Sequence, residues 1–205
     1  MVEILEAKKA MRAEEYLARE RATLREEGGK YEFFNGKLIE MAGGTHAHNK
    51  IIHNCAYILE SQIRQNKTEH DVTTSETKVV SFLTFKNYFY PDVIIVNGNP
   101  IYADDFKDIV ANPQIIVEVL SESTESFDRG DKFRSYRNIQ SLKEYILISS
   151  ERCCIEQFYK DDSDRWQFGE VVFEGTLTLN VTPFTLDIEE IYRKINLDNS
   201  LTTNS

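Results

Sequence analysis

The residues best suited to chemistry in this chain are two acids set in apolar surroundings. Asp92 lies in Phe89-Tyr90-Pro91-Asp92-Val93-Ile94-Ile95-Val96, and Glu118 sits inside Ile115-Ile116-Val117-Glu118-Val119-Leu120. Both runs have the aliphatic, β-branched character of strands covered on both faces, where an unpaired carboxylate is costly. Two such acids on adjacent strands would repel and hold protons unless a cation kept them together. A hard divalent ion such as Mg²⁺ or Mn²⁺ does this: it accepts one or two carboxylates plus waters and phosphate oxygens, and it activates bound water for attack at phosphorus.

Downstream of Glu118, the stretch FDRGDKFRSY places Asp128, Lys132 and Tyr136 four residues apart, on one face of a predicted helix. If that helix packs back over the sheet, Lys132 reaches the ends of the acidic strands. The alternative is a solvated basic face, because Arg129, Lys132, Arg134, Arg137 and Lys143 outnumber Asp128 and Asp131 there. Glu40 and His48 flank the start of an earlier predicted helix. By position they read as an exposed strand residue and a first-turn capping or packing residue.

The elements that must position these groups are legible in outline. Residues 3 to 27 are rich in Ala, Glu, Arg and Leu and end at Gly28-Gly29, which predicts a helix. YEFFNGKLIEM reads as two short strands around Asn35-Gly36, the strongest two-residue hairpin signal. Ile51, Ile52, Cys55, Ile58, Leu59 and Ile63 recur at helical spacing behind a Thr45 cap. TKVVSFLTF, NYFYPDVIIV, PQIIVEVLS, EYILISS and CCIEQFYK read as strands, the stretch from Asp161 as a hairpin or meander, and IEEIYRKI as a short closing helix.

Taken together, Pro91-Asp92 followed by Glu118 in an apolar strand resembles the PD-(D/E)XK nuclease superfamily. The lysine expected two residues after the acid is replaced by Leu120. The series YEFFNG, a His-containing helix, YPDVIIV, EVLSEST, D-x-x-x-K-x-x-x-Y and EYILI is similar, more narrowly, to the bacterial Uma-two family of restriction-endonuclease-like proteins. In that family the lysine is read as having migrated from strand to helix, which Lys132 fits.

The resemblance implies an α/β, restriction-endonuclease-like core with a mixed central β-sheet flanked by helices. It covers residues 14 to 192, within one domain over 1–195 followed by a polar tail at 196–205. It also implies Asp92 and Glu118 as metal ligands, the Val119 carbonyl as a third, Lys132 as the cation for transition-state charge, and Glu40 and His48 as candidates for an additional group at the metal. The implied activity is metal-dependent endonucleolytic hydrolysis of nucleic acid, DNA foremost, with paired subunits where both strands are cut. A non-catalytic domain of the same fold that binds nucleic acid or protein is the rival reading, favoured by Leu120 and by the acidic charge.

The bulk numbers agree with a globular protein: 205 residues, 41% apolar and 28% charged. A net charge of −10 argues against a large non-specific nucleic-acid surface but not against a local one. No apolar run reaches membrane-spanning length, and the N-terminal residues lack a signal-peptide core, so a cytoplasmic protein is expected. Cys55, Cys153 and Cys154 have no metal-binding spacing, and adjacent cysteines pair poorly, which fits a reducing compartment.

Overall fold

The computed structural model describes residues 10–26, 29–41, 43–82 and 86–197. Helix α1 (Ala13–Glu26) precedes the hairpin β1 (Tyr31–Phe34) and β2 (Lys37–Glu40), and helix α2 (His46–Asn66) follows. The first helix is shorter than its composition predicts. Residues 10–12 are not helical, and Met11 instead donates its backbone N–H to the Gly36 carbonyl at 3.1 Å. The rest of the predicted N-terminal extension, residues 3–9, and its end at 27–28 lie outside the described residues, as do 83–85 and 198–205, which include most of the predicted polar tail.

The Asn35-Gly36 turn forms as the dipeptide predicts, with φ of 50° and 79°. Glycine is required there twice over, because a Cβ on Gly36 would also come within 2.7 Å of the Ala10 Cβ. Helix α2 is capped by Thr45, whose hydroxyl accepts from the His48 N–H at 3.2 Å.

The strands form two larger sheets and a small one, rather than one central sheet. Strands β4 (Lys78–Phe82), β5 (Lys86–Phe89) and β7 (Ile109–Val110) join the hairpin in the order β2-β1-β5-β4-β7. Strands β3 (His70–Thr74), β6 (Val93–Asn97), β8 (Ile115–Leu120), β9 (Glu144–Ser149), β10 (Ile155–Lys160) and β11 (Trp166–Val172) form the second sheet in the order β11-β10-β9-β8-β6-β3. That sheet is mixed: β8 runs parallel to β9 and antiparallel to β6. β12 (Thr176–Thr178) and β13 (Thr185–Asp187) make the small hairpin, and α5 (Ile188–Ile191) follows.

The run NYFYPDVIIV, one strand by composition, is therefore split between sheets. Pro91 has no N–H to offer a ladder, and the chain leaves one sheet and enters the other across Tyr90-Pro91-Asp92.

Every residue of β8 is buried, and its alternation sorts them onto two cores. Ile115, Val117 and Val119 pack with Ile51, Cys55 and Leu59 of α2. Ile116 and Leu120 pack with Phe89 and Tyr136 on the other side. Glu118 belongs to this second face. Above it lies a continuous helical segment: α3 (Glu125–Phe127), a π-helical stretch (Asp128–Lys132) and α4 (Phe133–Tyr136).

Another buried acid, Glu144, opens β9 with no exposed surface. It accepts from the backbone N–H of Asn180 at 3.1 Å, from that of Val181 at 3.3 Å and from Gln157 Nε2 at 2.6 Å. It thereby ties the loop before β13 to the sheet. Glu144→Ala should lower the unfolding free energy in urea by about 3 kcal/mol, because the buried Gln157 amide and two partly buried backbone amides would lose their acceptor together. A loss within 0.5 kcal/mol of zero, typical of surface changes, would mean that water replaces it.

Candidate active site

The site is assembled from four directions. The ladder pair Val93↔Val117 sets the antiparallel register, so the next pair brings Asp92 opposite Glu118. No ladder bond forms there. Instead Asp92 Oδ2 accepts the Val119 N–H at 2.7 Å, which fixes the carboxylate at the mouth of the strands. Both acids line one cavity of about 440 Å³, together with Glu32, Glu40, His48, Val119, Asp128 and Lys132. Glu40, His48, Asp92, Glu118, Val119 and Lys132, the site residues expected from the sequence, thus line the same space.

Lys132 is not part of a solvated face: its side chain is 5% exposed. Its Nζ lies 2.9 Å from Glu118 Oε1, 3.0 Å from Glu32 Oε1 and 3.3 Å from Asp128 Oδ1. Tyr136 donates its hydroxyl to the same Glu118 oxygen at 2.9 Å. The face Asp128-Lys132-Tyr136 therefore does pack over the sheet, through a π-helical stretch containing Gly130 that sequence periodicity does not reveal. Arg137 and Lys143 fall beyond the end of the helix, and Lys143 pairs at the surface with Asp164 at 2.6 Å.

Glu32 is the residue that sequence reasoning missed. It projects from β1, in the other sheet, and Oε1 accepts the Tyr90 N–H at 3.0 Å. A signal was present in Tyr31-Glu32-Phe33-Phe34, a carboxylate within an apolar strand run just as Glu118 is. Helix α1 secures that strand: Glu20 accepts from the Tyr31 N–H at 3.1 Å and from the Tyr90 hydroxyl at 2.9 Å.

His48 stands in the first turn of α2 with Nε2 3.5 Å from Asp92 Oδ2. The approach is tight, since a Cβ on Gly44 would come within 2.6 Å of Nδ1. Glu40 is exposed and lies at the cavity rim.

Burial dominates the electrostatics. It raises the Glu118 carboxyl well above the ordinary range against the pull of Lys132, and the neighbouring Asp128, Asp92 and Glu32 add to the rise. Burial raises Glu32 in the same way. For Lys132 burial acts downward, but Glu118 and Glu32 outweigh it, and the ammonium holds its proton more tightly than a free lysine. His48 behaves likewise: burial disfavours the imidazolium, and Asp92, Asn49 and the Val119 carbonyl more than restore it.

Four carboxylates, those of Glu32, Asp92, Glu118 and Asp128, thus share one lysine and one histidine. Among the described residues no three His, Cys, Asp or Glu side chains form a ready-made metal cage. Asp92 and Glu118 nevertheless present hard oxygen donors across one strand pair, the donor type that Mg²⁺ and Mn²⁺ take alongside several waters.

Comparison with known proteins gives the same direction. The chain is 33% identical over 167 residues to "Uncharacterized protein sll1609" of Synechocystis sp., covering 82% of this chain and 90% of that one. It is 31% identical over 166 residues to "Uncharacterized protein slr1290" of the same organism, covering 80% and 84%. The crystal structure of a putative nuclease belonging to DUF820 from Anabaena variabilis shares the fold, with a TM-score of 0.64, 16% identity, and coverage of 85% of this chain and 96% of that one. The fold is accordingly α/β and restriction-endonuclease-like. The model of the family Uma2, described as "Putative restriction endonuclease", matches residues 13–194, and the chain belongs to that family.

Proposed function

We propose that the chain is a metal-dependent endonuclease hydrolysing nucleic-acid phosphodiester bonds, with DNA as the substrate and Mg²⁺ or Mn²⁺ held by Asp92 and Glu118. The observation that carries this reading is the position of Lys132. Leu120 occupies the strand position where the superfamily's lysine is expected, and Lys132 places an ammonium 2.9 Å from the Glu118 carboxylate on the same face of β8. When bound, the metal would activate a water and neutralise charge on the phosphate.

The remaining work falls to the chain itself. Asp92, fixed through the Val119 N–H, and Glu118 would present oxygens to the ion, with the Val119 carbonyl within reach of the same space. Lys132 would meet negative charge developing on the phosphoryl oxygens. His48 would orient Asp92 and carry a proton at Nε2. We further place the protein in the cytoplasm, in keeping with free thiols at Cys55, Cys153 and Cys154. Paired copies would cut both strands of a duplex. No described helix is long and apolar enough to cross a membrane.

Metal linkage tests the proposal without reference to turnover. A cation that binds only the folded pair stabilises it by RT ln(1 + [L]/Kd), so Mn²⁺ at about 100 times its Kd should add about 2.7 kcal/mol and raise the melting temperature by several degrees. Asp92→Ala should abolish that response. An equal shift in both proteins would reflect non-specific ionic effects and would sink the metal site.

A further inference from the structure

An ammonium has three N–H donors. Those of Lys132 face three carboxylates, Glu118 at 2.9 Å, Glu32 at 3.0 Å and Asp128 at 3.3 Å. A phosphate oxygen would have to compete with these three carboxylates for the ammonium. The three partners are not equivalent. Glu32 Oε1 is anchored by the Tyr90 backbone N–H, and Tyr90 is held in turn by Glu20. Asp128 lies one turn before Lys132 on the same helical segment. Glu118 lies across from Asp92, on the strand pair that opens onto the cavity.

We propose that Glu32 and Asp128 form a clamp that retains the Lys132 ammonium, while Glu118 passes from the ammonium to an arriving divalent cation and frees one N–H toward the cavity. The inference rests on the metal-dependent reading above. Glu32 is then a positioning residue, acting on metal and substrate only through Lys132. Removing its charge throws the ammonium more fully onto Glu118, so lysine and metal compete harder for one carboxylate.

The test is a double-mutant cycle on Mn²⁺ affinity, measured by titration calorimetry at pH 6. Glu32→Gln keeps an oxygen for the Tyr90 N–H and removes only the charge. It should weaken Mn²⁺ binding roughly fivefold in the parent chain and have no further effect in a Lys132→Met background. Equal weakening in both backgrounds would make Glu32 a metal ligand and overturn the clamp, and no weakening in the parent would overturn it too.

Should Lys132→Met fail to fold, the Nζ signal of Lys132 in ¹⁵N-lysine-labelled protein replaces the cycle. With the clamp, that signal persists on Mg²⁺ addition in the parent and broadens in Glu32→Gln, whereas identical behaviour in the two proteins refutes it. A parent that binds no Mn²⁺ defeats the metal-dependent reading instead. The clamp is then decided by the same cycle on urea stability, in which strict additivity of Glu32→Gln and Lys132→Met counts against it.

Discussion

Lys132→Ala should bind Mn²⁺ at least as tightly as the parent and cleave nucleic acid about 10²-fold or more slowly. The proposed metal ligands are carboxylates, so deleting the ammonium would remove a competitor for Glu118 rather than a donor to the ion. Transition-state charge is a different matter. Leu120 is packed into the core on the strand where a lysine would otherwise stand, and among the described residues lining the cavity the only other cationic group is His48. Lys143→Ala is the internal control, because its ammonium pairs with Asp164 at the surface and should alter little beyond salt sensitivity. The assay compares the three proteins on mixed single- and double-stranded DNA and RNA with Mn²⁺ or Mg²⁺. Parent-like cleavage by Lys132→Ala would refute the catalytic lysine. Absence of cleavage by the parent on every substrate would favour a binding role for the fold.

Stability should respond to the same lysine with a marked pH dependence. Replacing Lys132 by Met leaves Glu32, Glu118 and Asp128 buried without their shared cation, and breaking a buried pair in this way costs about 3–5 kcal/mol. The full cost applies only when the carboxylates are ionised. In the parent, burial already holds Glu118 and Glu32 above the ordinary glutamate value of 4.5. Between that value and the raised folded-state values, the native protein binds more protons than the unfolded chain, so stability falls as pH rises through the window. Losing Lys132 raises both groups further and steepens the fall. Lys132 itself, raised above 10.5, contributes stability that is fully present below that value and is lost only as pH rises beyond it.

Urea titrations at pH 5 and pH 8 without divalent metal should therefore give a small difference between parent and Lys132→Met at pH 5 and most of the 3–5 kcal/mol at pH 8. Mn²⁺ should recover part of the loss at pH 8, since a divalent cation can take the place of the missing charge. A difference independent of pH would mean that the variant loses packing against Phe89 and its neighbours rather than charge balance.

Much of this protein was legible without coordinates, for local reasons. The hairpin at Asn35-Gly36 and the Thr45 cap depend on adjacent residues and formed where the dipeptide and cap chemistry place them. Strand β8 was visible because six buried residues in a row must be covered on both faces, and the misplaced Glu118 stood out against them. Errors arose where a local pattern met a non-local constraint. NYFYPDVIIV has the composition of one strand, yet Pro91 withdraws a ladder donor and the chain changes sheet there. The basic run from Arg129 to Lys143 read as one helix, yet the helix stops at Tyr136, so Lys132 is buried on it while Lys143 lies beyond its end and pairs in solvent.

The sequence by itself determined that Asp92 and Glu118 must either hold protons or be offset by a cation, because the cost of burying a carboxylate among Ile and Val is a property of the residues and their alternation. The sequence offered Lys132 as one such group, and that it reaches Glu118 was decided by the tertiary structure alone. The register Val93↔Val117 sets Asp92 against Glu118, the π-helical stretch turns Lys132 inward, and the packing of the hairpin sheet brings Glu32 from 100 residues away to 3.0 Å from the same ammonium. Charge pairing acts over a few ångströms of space and is indifferent to chain distance. A buried acid in a sequence therefore announces that it has a partner, and only the fold says which one.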